Sequence, residues 1–413
     1  MHARTIDQRN NRRGGLAETV ALALAARLAR GRLTMHLPDD RTLAFEGAEP
    51  GPAAEIRLRS PRAFRRLLSG GELGLAESYM DGEWDTPDLT ALITLGALNE
   101  DVLEHTLAGN LWARMASQAV HALRPNSRRG SRRNIAAHYD LGNDFYAAWL
   151  DPSLTYSAAL FTSPADDALE AAQVRKYRRM AELAQITADH HVLEIGCGWG
   201  GFCTWAAAAI GCRVTAITIS QAQYDFTLAR VRAAGLDDKI TVRLQDYRDL
   251  RGSFDAIVSI EMLEAVGEAY WQTYFRQLRE RLRPGGRAAL QVITIADDRF
   301  ESYRSSVDFI QRYIFPGGML PSPAVLRGLT AEAGLGVARV NRHGSDYAQT
   351  LALWRQTFEH AWTDIAADAN GRGFDERFRL MWRYYLAYCE AGFRIGRIDL
   401  LHLALERGTA PGK

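Results

Sequence analysis

The sequence predicts an α/β protein, in which a doubly wound and mostly parallel sheet follows a smaller α+β N-terminal domain. Short apolar strands alternate with helical segments across residues 174–295, and a glycine-rich turn directly follows the first of these strands. Residues 32–59, by contrast, alternate apolar and polar side chains in the manner of a hairpin. The length of 413 residues leaves room for two or three domains.

The N-terminal domain is expected to cover residues 1–123. The turn Pro38-Asp39-Asp40 joins the two strands of the hairpin, and the pair Gly70-Gly71 separates two helices. The predicted elements are, in order, strands over 32–36, 41–46 and 55–59, helices over 61–68 and 73–79, and a helical stretch over 89–123.

Residues 124–135 are expected to form a basic linker, because five arginines lie between Arg124 and Arg133 among Pro, Gly and Ser. Such a segment is either a solvated spacer or lies against anionic lipid, where each positive charge contributes about 1 kcal/mol. The formal net charge of the whole chain is +1, which gives no indication of a nucleic-acid partner.

The third region, residues 136–413, carries the alternation of strands and helices. Its predicted strands cover 191–195, 213–219, 240–244, 255–260 and 287–295, and its predicted helices cover 174–184, 201–210, 221–234 and 269–282. This alternation implies a parallel sheet with helices on both faces. The tail from Leu351 to Leu405 is predicted to be helical, with Cys389 and most of its aromatic side chains in the core.

Cysteine usage and hydropathy exclude several classes of protein. The four cysteines form no CxxC pair, so neither a disulfide framework nor a metal site is expected. No apolar run reaches the ~18 residues of a membrane span. We therefore expect a cytoplasmic protein that is at most peripherally associated with the inner face of the membrane.

The segment VLEIGCGWGG, residues 192–201, indicates a nucleotide-binding loop. Gly196, Gly198 and Gly200 allow a ligand to approach the backbone closely, and the following helix directs free N–H groups toward it. The second strand ends without the carboxylate of a dinucleotide site, whereas Asp246 follows the third strand. These features favour S-adenosylmethionine over NAD, and with it a Rossmann-like class I methyltransferase fold.

Six segments of the chain, in order, carry a resemblance to a known family. They are His138–Tyr146, Leu154–Ser157, Leu193–Gly201, Leu244–Leu250, Tyr313–Pro321 and Gly344–Tyr347. They resemble the cyclopropane-fatty-acyl-phospholipid synthases, which use S-adenosylmethionine to modify double bonds of membrane lipid chains. The most specific segments are HYDLGNDFY and YIFPGG, and residues 71–84 resemble the family's lipid-associated N-terminal domain.

The resemblance implies positions for the parts of S-adenosylmethionine. The residues concerned are Tyr156 and Ser157 near the methionine part, Gly196, Gly198 and Gly200 in the loop, Thr218, Ser220 and Gln223 near the ribose, Asp246 and Tyr247 near adenine, and Tyr139 closing over the site. For His138 a structural, hydrogen-bonded role is favoured over acid–base chemistry. Glu194 either orients the loop or contacts the ligand.

The resemblance also implies a reaction and a second ligand. A cis double bond attacks the sulfonium methyl, and a carbocation forms on the acyl chain, where it needs stabilisation and the exclusion of water. A bound bicarbonate ion then removes a proton, so that a cyclopropane ring closes. The positions that match the family's bicarbonate site are Glu264, Tyr347, Gln291 and, through its backbone, Ile293.

Three positions depart from many bacterial members of the family. Ala158 stands where they have Cys, and Gln291 and Ala265 stand where they have His. Gln291 can still donate an N–H to an anion, whereas Ala158 offers no side-chain hydrogen bond. Ring closure is therefore weighed against proton loss from a neighbouring chain carbon, which gives a methyl- or methylene-branched chain.

Three functions follow from these observations. The leading one is a methyltransferase that acts on unsaturated phospholipids at the membrane surface, with a cyclopropane or a branched product. The second is a methyltransferase that acts on another small molecule, such as a sterol or a phosphobase. The third is a lipid-binding protein without catalytic activity. A homodimer is suggested by the resemblance alone.

Overall fold

The computed structural model describes residues 4–5, 15–101, 141–162, 168–367 and 374–409. The predicted basic linker, residues 124–135, lies outside these residues, as do His138 and Tyr139. Among the residues described, no helix is both long enough and apolar enough to cross a membrane.

The described elements confirm the predicted strands and helices between residues 174 and 295, with shifts of a few residues at their ends. The strands are β1 (Arg4–Thr5), β2 (Arg30–His36), β3 (Thr42–Glu46), β4 (Glu49–Leu58), β5 (Trp84–Asp85), β6 (His191–Ile195), β7 (Arg213–Thr218), β8 (Ile240–Leu244), β9 (Phe254–Ile260), β10 (Leu282–Ile295), β11 (Gly336–Arg342) and β12 (Ile398–Glu406). The α-helices are α1 (Leu16–Ala25), α2 (Arg62–Met80), α3 (Leu89–Leu98), α4 (Asn143–Ala147), α5 (Leu169–Leu183), α6 (Gly201–Ala209), α7 (Gln221–Ala233), α8 (Trp271–Arg281), α9 (Phe300–Arg304), α10 (Pro323–Glu332), α11 (Gly344–Ala367) and α12 (Glu376–Arg394).

The chain divides into two compact units. Unit 1 comprises Met1–Val120, Ser306–Phe309 and Trp362–Ile395. Unit 2 comprises His121–Ser305, Ile310–Ala361 and Gly396–Lys413. Unit 1 therefore draws on separate stretches of the chain, and two of them come from the region that the sequence assigns to the second domain.

Unit 1 contains a five-stranded sheet in the order β1-β3-β2-β4-β5. β2 and β3 pair in antiparallel fashion, which confirms the predicted hairpin. Within α2, Gly71 has φ +57° and ψ −138°, so the helix is broken where the sequence predicts a boundary between two helices. α12 contacts α3, and Thr90 Oγ1 of α3 donates a 3.0 Å hydrogen bond to Glu390 Oε2 of α12.

Unit 2 contains a seven-stranded sheet in the order β11-β12-β10-β9-β6-β7-β8. The five strands from β10 to β8 run parallel, and β12 pairs antiparallel with both β10 and β11. Along β6, Val192 packs in one apolar cluster with Phe202 of α6, and Leu193 packs in another with Phe275 of α8. Helices therefore cover both faces of the sheet, as predicted for a doubly wound fold.

The prediction of a helical tail through Leu405 is wrong for its last part, because residues 398–406 form β12. Within the run IDLLHLALE, residues 400–405 are all buried, since β12 lies between β10 and β11 with both faces covered. A strand buried on both faces has no alternation of apolar and polar side chains. Its sequence therefore cannot be distinguished from a buried helix by periodicity.

Candidate active site

The candidate site lies in unit 2, at the edge of the sheet where five parallel strands have their carboxyl ends. Gly196 directly follows β6, Asp246 lies just beyond β8, and Glu261 directly follows β9. In open α/β sheets ligands bind beyond this edge, because the loops there converge and the helix N-termini face them.

The loop after β6 adopts a backbone conformation that favours glycine. The φ angles are +84° at Gly196, +52° at Gly198 and +83° at Gly200. A Cβ at Gly196 would lie 2.8 Å from Met262 Cγ, and one at Gly200 would lie 2.6 Å from Thr227 Cγ2. A Cβ at Gly198 would meet no atom within 4 Å. Gly198 therefore borders open space that a ligand can enter, while its neighbours fit closely against the site.

The residues predicted to lie near the ribose form one hydrogen-bonded group. Thr218 Oγ1 donates to Gln223 Oε1 at 2.8 Å, and the Ser220 N–H donates to Thr218 Oγ1 at 3.1 Å. Ser220 Oγ accepts a 3.3 Å bond from the Gln223 N–H, which caps α7. The structure thus brings these three buried side chains together, and their contact with ribose stays a prediction.

Asp246, predicted to lie near adenine, is held by an arginine. Its carboxylate accepts bonds from Arg248 Nε at 2.9 Å and from Arg248 Nη2 at 2.6 Å. The same guanidinium lies 5.0 Å from the ring centroid of Tyr270. Tyr247 is buried beside this pair, and burial raises the pKa of its hydroxyl. The group is rigidly placed at the sheet edge, and its role in binding adenine stays a prediction.

Tyr156 belongs to a continuous row of aromatic rings that begins at the glycine loop. Centroid distances are 4.9 Å from Trp199 to Tyr146, 5.5 Å from Tyr146 to Tyr156, and 5.4 Å from Tyr156 to Trp354. Tyr347 continues the row, 6.2 Å from Trp354. We call these five residues the aromatic row. Four of its members are buried and Tyr156 keeps partial exposure, so the row is an apolar layer that a ligand can meet at Tyr156. Ring faces of this kind can stabilise a cation.

Glu261 stands at the far end of the aromatic row, and three donors converge on its carboxylate. Tyr347 Oη donates to Oε2 at 2.6 Å, while Gln291 Nε2 and the Ala158 N–H donate to Oε1 at 2.6 and 2.8 Å. Burial raises the pKa of Glu261, and the three hydrogen bonds and the charge of Lys176 oppose that rise. A carboxylate with this many donors is fixed in both position and orientation.

Glu264 lies one turn further along the chain from Glu261. The Ile293 N–H donates to Glu264 Oε1 at 2.5 Å. Oε2 is buried and has no hydrogen-bond partner among the residues that the structure describes. Burial, together with the charge of Glu261, raises the pKa of Glu264 to about 8. At neutral pH this side chain is therefore mostly protonated and able to donate a hydrogen bond.

Two further buried titratable side chains, Lys176 and Glu194, belong to this site. Lys176 of α5 has no exposed surface, and its Nζ donates a 2.7 Å bond to Ser157 Oγ. Burial lowers the pKa of Lys176 to about 7, against the opposing charges of Glu261, Asp151 and Glu194. Burial raises the pKa of Glu194 to about 8, with Cys203 of α6 as its hydrogen-bond partner. This position favours the interpretation that Glu194 orients the loop.

Sequence reasoning identified Glu264, Tyr347, Gln291 and Ile293 and missed three of their neighbours. Glu261 could have been identified as a site residue, because it directly follows a predicted strand of the parallel sheet. For Lys176 the indication is weaker, since it is one of few lysines in a chain rich in arginine. The third is His402, whose Nε2 lies 2.8 Å from Gln291 Oε1. It had no signal, because β12 was predicted as helix.

Comparison with known proteins identifies the chain's relatives. The family model described as mycolic acid cyclopropane synthetase matches residues 126–403, more than half of the sequence. The chain belongs to this family. It is an S-adenosylmethionine-dependent methyltransferase of the cyclopropane synthase family, which confirms the resemblance inferred from the motifs.

Relatives of this cyclopropane synthase family member differ in the product that their names imply. The chain is 40% identical to the tuberculostearic acid methyltransferase of Mycobacterium tuberculosis, over 97% of this chain and 94% of the relative. It is 36% identical to the cyclopropane-fatty-acyl-phospholipid synthase of Escherichia coli strain K12, over 92% of this chain and 94% of the relative. The names of these two relatives thus specify different products within one family.

The fold is likewise that of a cyclopropane synthase. A solved mycolic acid cyclopropane synthase, complexed with SAH and CTAB, matches with a TM-score of 0.61 and 28% identity. The match covers 66% of this chain and 97% of that chain. This likeness, with the mixed sheet of unit 2, confirms the predicted Rossmann-like class I methyltransferase fold.

In this family member the side chains do not fit a bicarbonate ion, the second ligand that the resemblance implies. The three donors that surround Glu261 are bonded to its carboxylate, and the N–H of Ile293 is bonded to Glu264. A further anion would find these four donors taken and the carboxylate of Glu261 in its place. The residues assigned to bicarbonate are thus brought together, but around the chain's own carboxylates.

Proposed function

We propose that this methyltransferase acts on the double bond of an unsaturated acyl chain in a phospholipid, and that its product carries a cyclopropane ring. The observation that carries the proposal is the aromatic row, which links the glycine loop to a buried carboxylate. A hydrocarbon chain needs an apolar wall, and a carbocation formed on that chain needs ring faces that stabilise it. Both are present in one continuous arrangement.

The cofactor-binding residues fit S-adenosylmethionine. Tyr156 and Ser157 would lie near its methionine part, beside the glycine loop. Thr218, Ser220 and Gln223 would lie near the ribose, and Asp246 and Tyr247 near adenine. When bound, S-adenosylmethionine supplies an electrophilic methyl group and leaves as S-adenosylhomocysteine. Gly198 borders the space where a ligand can reach the loop backbone without a side chain in its way.

The electrons of the acyl double bond form the new bond to the methyl carbon, and the second alkene carbon becomes a carbocation. A proton then leaves the new methyl group, and the electrons of that C–H bond close the ring onto the cationic carbon. The net change is the gain of one methylene group and the release of one proton. The protein has to exclude water and present a proton acceptor, because water would otherwise capture the cation.

Phospholipid is proposed as the carrier of the acyl chain for two reasons. The synthase from Escherichia coli, whose name specifies a phospholipid, matches across nearly the whole of both chains. The arginine-rich residues 124–133 also supply positive charge that suits an anionic membrane surface. We accordingly propose that the enzyme works in the cytoplasm, at the inner face of the membrane.

A second candidate is a methylene-branched chain. It is favoured by Ala158 and Gln291 and by the tuberculostearic acid methyltransferase among the relatives. If a hydride first moves onto the cationic carbon from the carbon that received the methyl, the positive charge moves to the latter carbon. Loss of a methyl proton then gives a methylene branch, C=CH2, on the open chain. This product has the same mass as the ring, so mass alone does not separate them.

One incubation tests the proposal. Purified protein is mixed with S-adenosylmethionine and vesicles of a cis-monounsaturated phospholipid, and fatty acid methyl esters are analysed by mass spectrometry before and after mild hydrogenation. We expect a gain of one methylene group that resists hydrogenation. A product that takes up hydrogen would establish the branched alternative. No gain with phospholipid vesicles would overturn the proposed substrate.

A further inference from the structure

We propose that Glu261 is the proton acceptor of this reaction, with its carboxylate standing where the family resemblance places a bicarbonate ion. The inference rests on the proposed function and names the base of that same site. In the ring-closing step, the C–H electrons of the new methyl group form the last ring bond. The proton passes to an oxygen of Glu261 and is released to solvent before the next turnover.

The Glu261 carboxylate is surrounded by a set of hydrogen-bond donors. An amide side chain, a phenol hydroxyl and a backbone N–H all bond to it, at 2.6, 2.6 and 2.8 Å. Two of these donors, Gln291 and Tyr347, are positions that the resemblance assigns to bicarbonate. A carboxylate and a bicarbonate ion have the same planar pair of oxygens. Either can therefore accept hydrogen bonds from these three donors, which we call the cradle.

A buried histidine orients one of these donors. His402 is buried, and burial lowers the pKa of its ring far below the ordinary value, so the ring is neutral. Its Nε2 lies 2.8 Å from Gln291 Oε1, which can only accept a hydrogen bond. The amide nitrogen of Gln291 is thereby turned toward Glu261. The cradle is built to receive an acceptor at this point.

The backbone of Glu261 adopts an uncommon conformation. Its φ angle is +49°, in the left-handed region that non-glycine residues seldom occupy. Such strain persists at functional sites, where it aims a side chain that would otherwise point elsewhere. The next residue, Met262, lies against Gly196 of the cofactor loop, since a Cβ on that glycine would be 2.8 Å from Met262 Cγ. The acceptor and the loop are therefore held together.

A buried lysine adds charge to this site. Burial raises the pKa of Glu261, and the charge of Lys176 opposes that rise and so favours the carboxylate form. A carboxylate whose pKa lies above its ordinary value is also a better proton acceptor than an exposed one. Glu261 directly follows β9, at the edge of the sheet where ligands bind in this type of fold.

Bicarbonate binding gives a test that is independent of turnover. ¹³C-labelled bicarbonate is titrated into the full chain and followed by NMR line broadening and by calorimetry, with Glu261→Ala as the comparison. We expect no binding to the original chain and binding to Glu261→Ala, whose donors are then free. Saturable binding to the original chain that is lost in Tyr347→Phe would overturn the inference, because the cradle would then hold the ion.

Turnover gives the second test, in buffer freed of carbon dioxide. We expect the original chain to work equally well with and without added bicarbonate. We expect Glu261→Ala to lose roughly 100-fold to 10,000-fold in kcat, the range for loss of a general base. Added bicarbonate or formate should then restore part of the rate. Bicarbonate dependence in the original chain, or full activity in Glu261→Ala, would contradict the role of Glu261.

Two controls keep these outcomes separate. Glu261→Gln keeps the side-chain volume, and S-adenosylmethionine affinity shows whether either variant is folded. Glu280→Gln, at a surface position on α8, should match the original chain in every assay. If the original chain transfers no methyl group to lipid, the proposed function fails, and the bicarbonate titration still decides whether Glu261 occupies the cradle.

Discussion

The hydroxyl of Tyr347 donates a 2.6 Å hydrogen bond to the carboxylate of Glu261, across a separation of 86 positions in the chain. Tyr347 lies in the first turns of α11, and Glu261 directly follows β9. The bond joins the end of the aromatic row to the acidic end of the site. It is the contact on which the chemistry proposed for this protein most directly depends.

Tyr347→Phe should reveal this bond in the pH dependence of turnover. The hydroxyl lowers the pKa of Glu261, so its removal raises that pKa, and more of the carboxylate is protonated at a given pH. We expect the acidic limb of kcat/KM to move to higher pH, and S-adenosylmethionine affinity to stay within a factor of about two. Tyr224→Phe on α7 serves as the matched control. An unmoved pH profile would remove Tyr347 from the site chemistry.

Gln291→Leu should destabilise the fold as well as the site. Gln291 is fully buried and bridges His402 and Glu261, so the substitution leaves two buried polar groups without this partner. We expect the free energy of unfolding to fall by about 1–3 kcal/mol in denaturant titrations. Gln221→Leu, which removes an exposed bond to Asp225, should change it by less than about 0.5 kcal/mol. Equal effects would contradict the bridging role.

Gly198→Val should prevent S-adenosylmethionine binding without unfolding unit 2. A side chain there would enter the open space beside the loop, and it would also strain a backbone with φ +52°. Gly235→Val makes the same change at φ +64°, also with no atom within 4 Å of its Cβ, but at the end of α7. Calorimetry should show binding lost in the first variant only. Retained binding in Gly198→Val would place the cofactor elsewhere.

Glu264→Gln should change how stability depends on pH. The native pKa of about 8 lies above the ordinary 4.5, so the folded protein holds a proton that the unfolded chain releases in this range. Stability contributed by the protonated side chain is therefore lost as pH rises from about 4.5 to about 8. We expect Glu264→Gln to gain stability relative to the original chain across that window. A difference that stays constant with pH would contradict the raised pKa.

Replacing Arg128, Arg129, Arg132 and Arg133 with Gln should weaken binding to anionic vesicles and flatten its dependence on salt. The physical reason is the loss of charge near the lipid surface, where attraction is screened by added salt. Co-sedimentation with anionic vesicles measures the effect, and vesicles of neutral phospholipid are the control. Unchanged binding and salt dependence would leave this segment as a spacer.

Local patterns were sufficient to predict most of unit 2. The strands from β6 to β10 and the glycine loop could be identified because each depends on neighbouring residues, such as an apolar run followed by Gly196. β12 could not, because burial on both faces removes the alternation that marks a strand. The set of segments that make up unit 1 could not be predicted from local patterns either, since its last helix comes from residues far along the chain.

The candidate site could be predicted only in part, because local sequence patterns do not record contacts between distant residues. Residues carried over from the family motifs, including Glu264 and Tyr347, do lie together. The role proposed for Glu261 depends on three donors from distant positions in the sequence. A local sequence pattern cannot predict that these residues lie together in the fold. Sequence alone therefore named residues that the structure brings together, but did not show that Glu261 lies among them.

Unit 1 combines the first part of the chain with Trp362–Ile395, which has a consequence for synthesis. Thr90 of α3 meets Glu390 of α12, 300 positions later. At the usual pace of translation, the N-terminal stretch waits roughly 15–60 s for this helix to emerge from the ribosome. During that interval the buried side chains of α3, including Leu89 and Leu95, lack α12. A chain truncated before residue 362 would stay in that state and be prone to aggregate.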